Sequence, residues 1–478
     1  MLVLEKNSDL PKGWALSYLG LITKNHDGKR IPVNASLREK MNGKYPYYGA
    51  SGIIDHVNKP IFKGDFLLIG EDGANLLARS TPIAFIAKGE FWVNNHAHVL
   101  TTLEGIQLEF LSHFINSINL SSWVTGTAQP KLNQANMNKI PILIPPLNEQ
   151  KRIVAKIEEI FSLLDFTKHL IEKIDPLLKQ YKQSLLKSAF EGKLTEKWRN
   201  TNPKIKSIHV LLKEIVENRN KLYTVQLENA KSKGLRKNKS KFLLEIPKII
   251  LKDNRLPSSW TVVNVNFLAF VTKLAGFEYT KYIKPQNDGD VPLIRAQNVQ
   301  MGKFDNSNIK FISKDISDNL ERSQINGTEI LMVFVGAGTG NVCMSPNGRR
   351  WHLAPNVAKI DVNGIPTEYL YYYLQSPIGI LDNLSRVKAS AQQSLSMENI
   401  RKINVTLPPL EEQQEIITMI EEGISLIQNI ETLTNSLSSQ LITLRSVILK
   451  QAFEGKLVPQ DPNDEPASEL LKRIKLQN

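Results

Sequence analysis

The chain is one unit written twice. Pro145-Pro146-Leu147-Asn148-Glu149-Gln150 returns as Pro408-Pro409-Leu410-Glu411-Glu412-Gln413, and Ala189-Phe190-Glu191-Gly192-Lys193-Leu194 returns unchanged at Ala452-Phe453-Glu454-Gly455-Lys456-Leu457. Both matches share an offset of 263 residues, as does Ala128-Gln129 to Ala391-Gln392. Leu10-Pro11-Lys12-Gly13-Trp14 returns as Leu256-Pro257-Ser258-Ser259-Trp260 at an offset of 246, so the second copy is 17 residues longer upstream. Even the tails echo, Leu211-Leu212-Lys213-Glu214-Ile215 against Leu470-Leu471-Lys472-Arg473-Ile474. A repeat of this kind has to be found before any local reading, because it decides the architecture. Each copy holds a globular part of variable length and then a segment of fixed length, as a rigid spacer requires and a loop does not.

The fixed segments carry a heptad seam. Ile153, Ile157, Ile160, Leu164, Thr167, Ile171, Ile174, Leu178, Tyr181 and Leu185 are spaced alternately four and three, the pattern that keeps one helical face against a partner. Adding 263 gives Ile416, Ile420, Gly423, Ile427, Ile430, Thr434, Leu437, Leu441, Leu444 and Ile448, in the same phase. Pro146 and Pro409 stand just before each helix, where a missing N–H costs little, and Gly192 and Gly455 stand just past each end, where a left-handed residue caps it. Pro176 should kink or break the first helix, at ~3 kcal/mol if interior, and Gly423 should leave a hole in the second seam. Two phase-matched helices with no third candidate predict a mutual coiled coil. The chain must pass from the end of the first helix to the second globular part, and this predicts an antiparallel pair with one globular part at each end of a rod of ~48 Å.

Composition narrows the class. The 478 residues are a soft prior of about three domains, and 41% hydrophobic with 22% charged residues describes an ordinary core-forming chain. Lys and Arg number 60 against 47 Asp and Glu, a net charge of +13, which points to a polyanionic partner, nucleic acid first. Cys343 is the single cysteine, so disulfides and Cys-rich zinc sites are excluded and a reducing cytoplasm is expected. The opening Met1-Leu2-Val3-Leu4-Glu5-Lys6 is charged too early for a secretory leader, and no apolar run approaches ~18 residues, so no membrane role is expected. Residues 195–255 read as a basic linker with a short helix. Lys231, Lys233, Arg236, Lys237, Lys239 and Lys241 lie there without an intervening acid, as a solvated face or a phosphate contact would.

The globular parts read as mixed α/β. Phe66-Leu67-Leu68-Ile69-Gly70 and Ile330-Leu331-Met332-Val333-Phe334-Val335-Gly336 look like buried strands ending in glycine turns, and helices begin near Glu109 and Glu368. Several patterns invite catalytic readings. Gly336-Ala337-Gly338-Thr339-Gly340 falls short of a dinucleotide fingerprint and is better read as a strand-to-strand turn. Glu191-Gly192-Lys193 and Glu454-Gly455-Lys456 spell half of a nuclease motif, but at helix ends and with no Pro-Asp dipeptide in the chain. His96 and His98 could ligate a metal from one strand face, without a supporting acid or cysteine pattern. Neither a Walker lysine loop nor an Asn/Asp-Pro-Pro-aromatic motif of amino-methylating enzymes is present. What the residues offer is base readout, since Arg suits guanine and Asn or Gln suits adenine in the major groove. The candidates are Tyr45, Tyr48, Ser51, Asn94, Asn95 and His96 in the first copy and Arg295, Gln297, Asn298 and Asn356 in the second.

At this point the whole chain resembles the specificity (S) subunit of type I restriction-modification enzymes. The marks are the Leu-Pro-x-x-Trp openings, Tyr48-Gly49-Ala50-Ser51-Gly52, Thr125-Gly126-Thr127-Ala128-Gln129-Pro130, Ile144 through Gln150, and the Ala-Phe-Glu-Gly-Lys-Leu helix ends, duplicated in this order. The resemblance implies an α+β chain with a pseudo-twofold internal repeat, in which an antiparallel coiled coil of two long helices separates two mixed α/β target-recognition domains. The corresponding division is 1–147, spacer 148–194, linker 195–255, 256–410, spacer 411–457 and tail 458–478. It further implies a non-catalytic chain that reads a split, asymmetric duplex DNA target. Such a chain docks two methylation (M) subunits that flip and methylate adenine, with restriction (R) subunits joining them. S-adenosylmethionine, ATP and Mg²⁺ would belong to those partners, and family members bind none of them through the S chain. Two alternatives stay open at this level: a self-sufficient nuclease or methyltransferase with an unrecognised motif, and a coiled-coil scaffold without a DNA role.

Overall fold

The long helices begin and end where proline and glycine place them in the computed structural model, which describes residues 10–126, 128–232, 255–386 and 394–477. The basic run from Lys233 to Lys241, Thr127, the Ala391-Gln392 pair and the opening Met1–Lys6 lie outside the described residues. The first spacer runs over Leu147–Glu172 and Ile174–Phe190, and the second is one helix over Leu410–Phe453. Gly192 and Gly455 follow with φ of 75° and 69°, a left-handed conformation that closes each helix end. The interruption at Lys173 has a local cause. Pro176 has no N–H to donate to the Glu172 carbonyl and its ring crowds that group, so the helix stops and restarts with Pro176 in a first turn. Ser439 stands at the matching position of the second spacer and bonds back to the Asn435 carbonyl at 3.1 Å, leaving that helix unbroken.

The fold divides into two compact units, Met1–Lys173 with Leu433–Asn478, and Ile174–Thr432. Each is mixed α/β with its own antiparallel helix pair. In the first, Ile153 and Ile157 share a core with Ala452 and Phe453. Farther along, Asp165 pairs with Arg445, whose guanidinium lies 4.6 Å from the Phe161 ring centroid. In the second, Phe190 shares a core with Ile416, Ile417 and Ile420, and Leu185 faces Gly423. Gly423 is therefore not the hole that its position in the seam predicts. A Cβ there would collide with Leu185, so the glycine is the slot into which that leucine fits. The seam is unevenly covered: Ile153, Ile157, Ile416 and Ile420 are fully buried, while Leu437 and Leu444 are 40% and 41% exposed.

The sheets repeat as the sequence does. The first unit has an antiparallel pair, Ala15–Tyr18 with Pro141–Ile144, and an antiparallel sheet ordered Thr23–Asn25, Ala97–Thr102, Phe66–Gly70, Ala84–Ala87. A second sheet is ordered Gly52–Val57, Tyr45–Gly49, Glu90–Val93, Phe62–Lys63, with its two central strands parallel. The second unit repeats all three: Thr261–Asn264 with Asn404–Leu407; Ala269–Lys273, Val357–Val362, Ile330–Val333, Val342–Met344; and Lys310–Ile312, Val291–Ile294, Trp351–Leu353, Gln324–Ile325, again parallel at the centre. The Gly336–Gly340 run turns between two strands of this unit, with Thr339 N–H donating to the Gly336 carbonyl at 3.0 Å.

The repeated motifs lock each domain to the start of a spacer. The Trp14 indole N–H donates to the buried Glu149 carboxylate at 3.0 Å, and Trp260 does the same to Glu412 at 3.0 Å. Gln150 and Gln413 turn back to the carbonyls of Pro145 and Pro408 at 3.1 and 2.8 Å. Burial pushes the Glu149 carboxyl above the ordinary carboxylate range, against the Trp14 bond, which favours the charged form. The two locks differ in charge. Glu412 also accepts from Thr195 Oγ1 at 2.7 Å and Arg199 Nε at 2.9 Å. At the first spacer the cation is Arg152 on the helix itself, bonded to Asp464 at 2.7 Å.

Within residues 195–255, the described part up to Ser232 holds more than the short helix that its charge suggests. Ile208–Ser232 is a helix of 25 residues. Its Ile208, Leu211, Leu212 and Ile215 enter the core of the second unit. Arg219, 4% exposed, donates to the carbonyls of Asn266, Phe267 and Ala269 and lies 4.1 Å from the Phe270 ring centroid. Burial pulls its pKa down to about 10. Apolar residues three and four apart give this basic segment a buried face. The tail behaves likewise: Ala467–Gln477 is a helix whose Ala467, Leu470 and Ile474 join the core of the first unit.

His352 supplies a pH test of this packing. It has no exposed surface, sits 3.2 Å from Ser317 Oγ, and burial pushes its pKa down to about 4, with Arg350 adding to the shift. The unfolded imidazole takes a proton near 6.5, whereas the folded one resists until about 4. Stability should therefore be full above pH 6.5 and fall as pH drops from 6.5 toward 4, by about 1.4 kcal/mol per unit. Denaturant midpoints at pH 7 and pH 5 should separate by more in the native chain than in His352→Phe.

Candidate nucleic-acid interface

In each unit the parallel central strands of one sheet and the antiparallel strands of the other deliver their loops to a common rim. In the first unit, Asn94 N–H donates to the Tyr48 carbonyl at 3.1 Å, Glu71 N–H to His96 at 2.8 Å and Leu132 N–H to Glu71 at 2.7 Å. The second unit builds the same three bonds from Ala354 to Ile294 at 2.9 Å, Phe334 to Asn356 at 2.9 Å and Leu395 to Phe334 at 2.8 Å. This framework gathers Tyr48, Ser51, Asn94, Asn95 and His96 on one rim, and Arg295 and Asn356 on the other. It makes His96 and Asn356 structural counterparts.

The scaffold is shared, but what it presents is not. Between its parallel strand and the next, the first unit has the tight turn Ala50-Ser51. The second has residues 295–309, which include a hairpin of Val299–Gln300 with Lys303–Phe304. This excursion holds most of the extra length seen in the sequence. Gln297 stands on it exposed.

The polar candidates divide by how the fold uses them. Ser51, Asn95 and His96 are exposed, and Tyr45 is half-buried. Asn356 is partly exposed at φ of 72°, a conformation that asparagine tolerates better than most residues. Three others hold the rim together. Asn298 is fully buried, donates to the carbonyls of Asp305 and Ser307 at 2.9 and 3.0 Å, and accepts from Arg295 N–H. Asn94, 5% exposed, accepts from His96 N–H at 2.8 Å. The Tyr48 ring stacks on Phe85 and meets Phe91 edge-on, and burial raises its hydroxyl pKa. The Arg295 guanidinium bonds the Asn308 carbonyl across the excursion.

Sequence reasoning singled out His98 but missed the charges that surround it beneath the first rim. Arg30 donates to Glu71 at 2.7 Å and to the Ala97 carbonyl at 2.8 Å, and Lys131 lies 3.2 Å from Glu71. His98 Nδ1 is 2.6 Å from Asp27, its Nε2 is 2.7 Å from the Leu132 carbonyl, and Val99 N–H donates to Asp27 at 2.8 Å. Burial works upward on both acids. It is outweighed at Asp27 by the His98 and Val99 bonds and at Glu71 by Arg30, His98 and Lys131, and both carboxyls stay below their ordinary range. Asp27, Glu71 and His98 could geometrically surround a cation, their ligand atoms lying within 4.8 Å of one another. Arg30 and Lys131 already supply that positive charge, so we read the group as an ion-pair hub. Residues 27, 71, 98 and 131 are too distant in the chain for any spacing pattern to reveal them.

Among the described residues, no helix is long and apolar enough to cross a membrane. A family model described as the type I restriction modification DNA specificity domain matches residues 11–175 and 257–439. The chain is 26% identical over 392 residues to the type I restriction enzyme EcoKI specificity subunit of Escherichia coli K12, covering 77% of this chain and 71% of that one. Two solved structures are similar in fold. One is the HsdS subunit from Thermoanaerobacter tengcongensis, at a TM-score of 0.52 and 15% identity, covering 95% of this chain and 100% of that one. The other is a chain from work on complex assembly and conformational transition of the type I R-M system, at a TM-score of 0.56 and 16% identity, covering 94% and 100%.

Proposed function

The chain belongs to the type I restriction-modification DNA specificity family, and on that premise we propose that its two rims read the two unlike halves of a split duplex target. As a specificity subunit the chain is non-catalytic, so sequence choice is its contribution and the chemistry belongs to other chains. One observation carries the reading: the same loop framework occurs twice, with a tight turn at Ser51 in one copy and a long excursion through Gln297 in the other. A scaffold kept constant under unlike loops is what two different half-sites call for. Ser51, Asn95 and His96 would face bases or phosphates of the first half, and Gln297 and Asn356 those of the second, with Tyr45 and Arg295 flanking them. Tyr48, Asn94 and Asn298 would shape these loops from below.

Methylation subunits would dock on the spacers. In the first unit, Leu163 and Phe166 are 63% and 59% exposed, Leu170 follows on the same helical face, and Leu433 and Ile442 are exposed on the partner helix. Exposed apolar side chains at helical spacing mark a surface that another chain covers. Restriction subunits would join the same assembly. S-adenosylmethionine, ATP and Mg²⁺ would be held by these partners.

The test is a domain exchange. Replacing residues 256–407 with the equivalent part of a relative should change one half of the methylated motif and leave the other half intact in a genome-wide map of methylated adenine. A change in both halves, or in neither, rejects modular reading.

A further inference from the structure

The two rims differ in a titratable pair. His96 is held at three points: its N–H by Asn94, its carbonyl by Glu71 N–H, and its ring Nδ1 by the Asp72 carboxylate, at 3.0 and 2.8 Å from the two oxygens. Its side chain remains 49% exposed while that of Asp72 is 17% exposed. Nε2 makes no hydrogen bond among the described residues. In the second unit the counterpart of His96 is Asn356. The counterpart of Asp72 is Val335, since Asp72 bridges Lys131 where Val335 bridges Ser394. Neither residue titrates, so a proton can be taken up at this position on one rim only.

Resting on the DNA-reading proposal, we infer that His96 binds an acceptor of the first half-site through Nε2–H, with Asp72 as its positioning residue, so that reading of this half alone is coupled to proton uptake. The acceptor is guanine N7 or O6, or a phosphate oxygen. With Nδ1–H donated to the Asp72 carboxylate, which fixes the ring, Nε2 can donate to a DNA acceptor only when the imidazole carries both protons. The other charges near the ring are already engaged. Glu71 is held by Arg30 and Lys131, and Asp27 is paired with His98. Asp72 is the carboxylate left to accept from the imidazole.

The experiment uses the assembled methylation complex and duplexes carrying its own mapped motif, at constant ionic strength from pH 6 to pH 8.5. Wild-type affinity should weaken with rising pH, approaching tenfold per unit on the alkaline side, the slope of about one proton. His96→Asn, which installs the second rim's residue, should flatten that dependence. Asp72→Asn should weaken it and Asp72→Glu should restore it. If the acceptor is a base, His96→Asn also relaxes one position of the first half in the methylation map. If it is a phosphate, the map is unchanged and the salt slope falls by about one. Equal pH dependence in wild type and His96→Asn overturns the inference, as does a wild type without pH dependence. Failure of the wild type to prefer its motif over a scrambled duplex overturns the DNA-reading proposal instead.

Discussion

Glu412→Ala is expected to lower stability by about 3–5 kcal/mol, the cost of leaving a buried ion pair half-made. The carboxylate has no exposed surface and accepts from three donors on two segments: Trp260 Nε1, Thr195 Oγ1 and Arg199 Nε. Removing it strands a guanidinium that is 18% exposed and two buried donors. Glu412→Gln keeps an acceptor oxygen for Trp260 and should lose less. The matching Glu149→Ala should cost about 1–3 kcal/mol, because the cation beside Glu149 is Arg152, whose own partner is Asp464. Denaturant midpoints of the four chains would check the ranking. Equal losses at 412 and 149 would show that Arg199 adds nothing to the lock.

Phe453→Ala should cost a comparable 3–5 kcal/mol by opening a cavity in the first unit. The ring is fully buried, with edge-on partners Phe110 at 5.5 Å and Phe114 at 5.0 Å. Phe190→Ala removes the counterpart in the second unit, which meets Tyr369 at 5.4 Å and Tyr373 at 5.1 Å. Leu433→Ala, at a position 68% exposed, is the control and should stay within about 0.5 kcal/mol. Both phenylalanines belong to the repeated Ala-Phe-Glu-Gly-Lys-Leu motif. Its apparent likeness to a nuclease signature thus comes from a core aromatic followed by a helix cap.

Periodicity and backbone chemistry were readable from the residues alone. A heptad spacing, a proline before a helix and a glycine after it each act locally, so the spacers, their ends and the disturbance at Pro176 follow without a structure. Contacts between distant segments were not readable in the same way. The Trp14 and Glu149 motifs are conspicuous in the sequence, but nothing there says that one donates to the other. Leu211, Leu212 and Ile215 carry a helical signal that the surrounding lysines obscure, so the segment reads as a linker with only a short helix where a core helix of 25 residues stands. At the rims, residue type alone could not separate Asn298, which is buried and folds its loop, from Gln297, which is exposed. Both are amides, and the difference lies in which carbonyls surround them.

The core that holds Trp14, Phe110 and Phe114 also needs Phe453, Leu470 and Ile474. During translation, therefore, the module begun first is the one completed last: it waits with an unfinished interior until residues 433–477 have left the ribosome. The module contained in residues 174–432 has no such wait. Damage near residue 470 should accordingly surface as aggregation of the amino-terminal module, far from the altered codon in the message but adjacent to it in the fold.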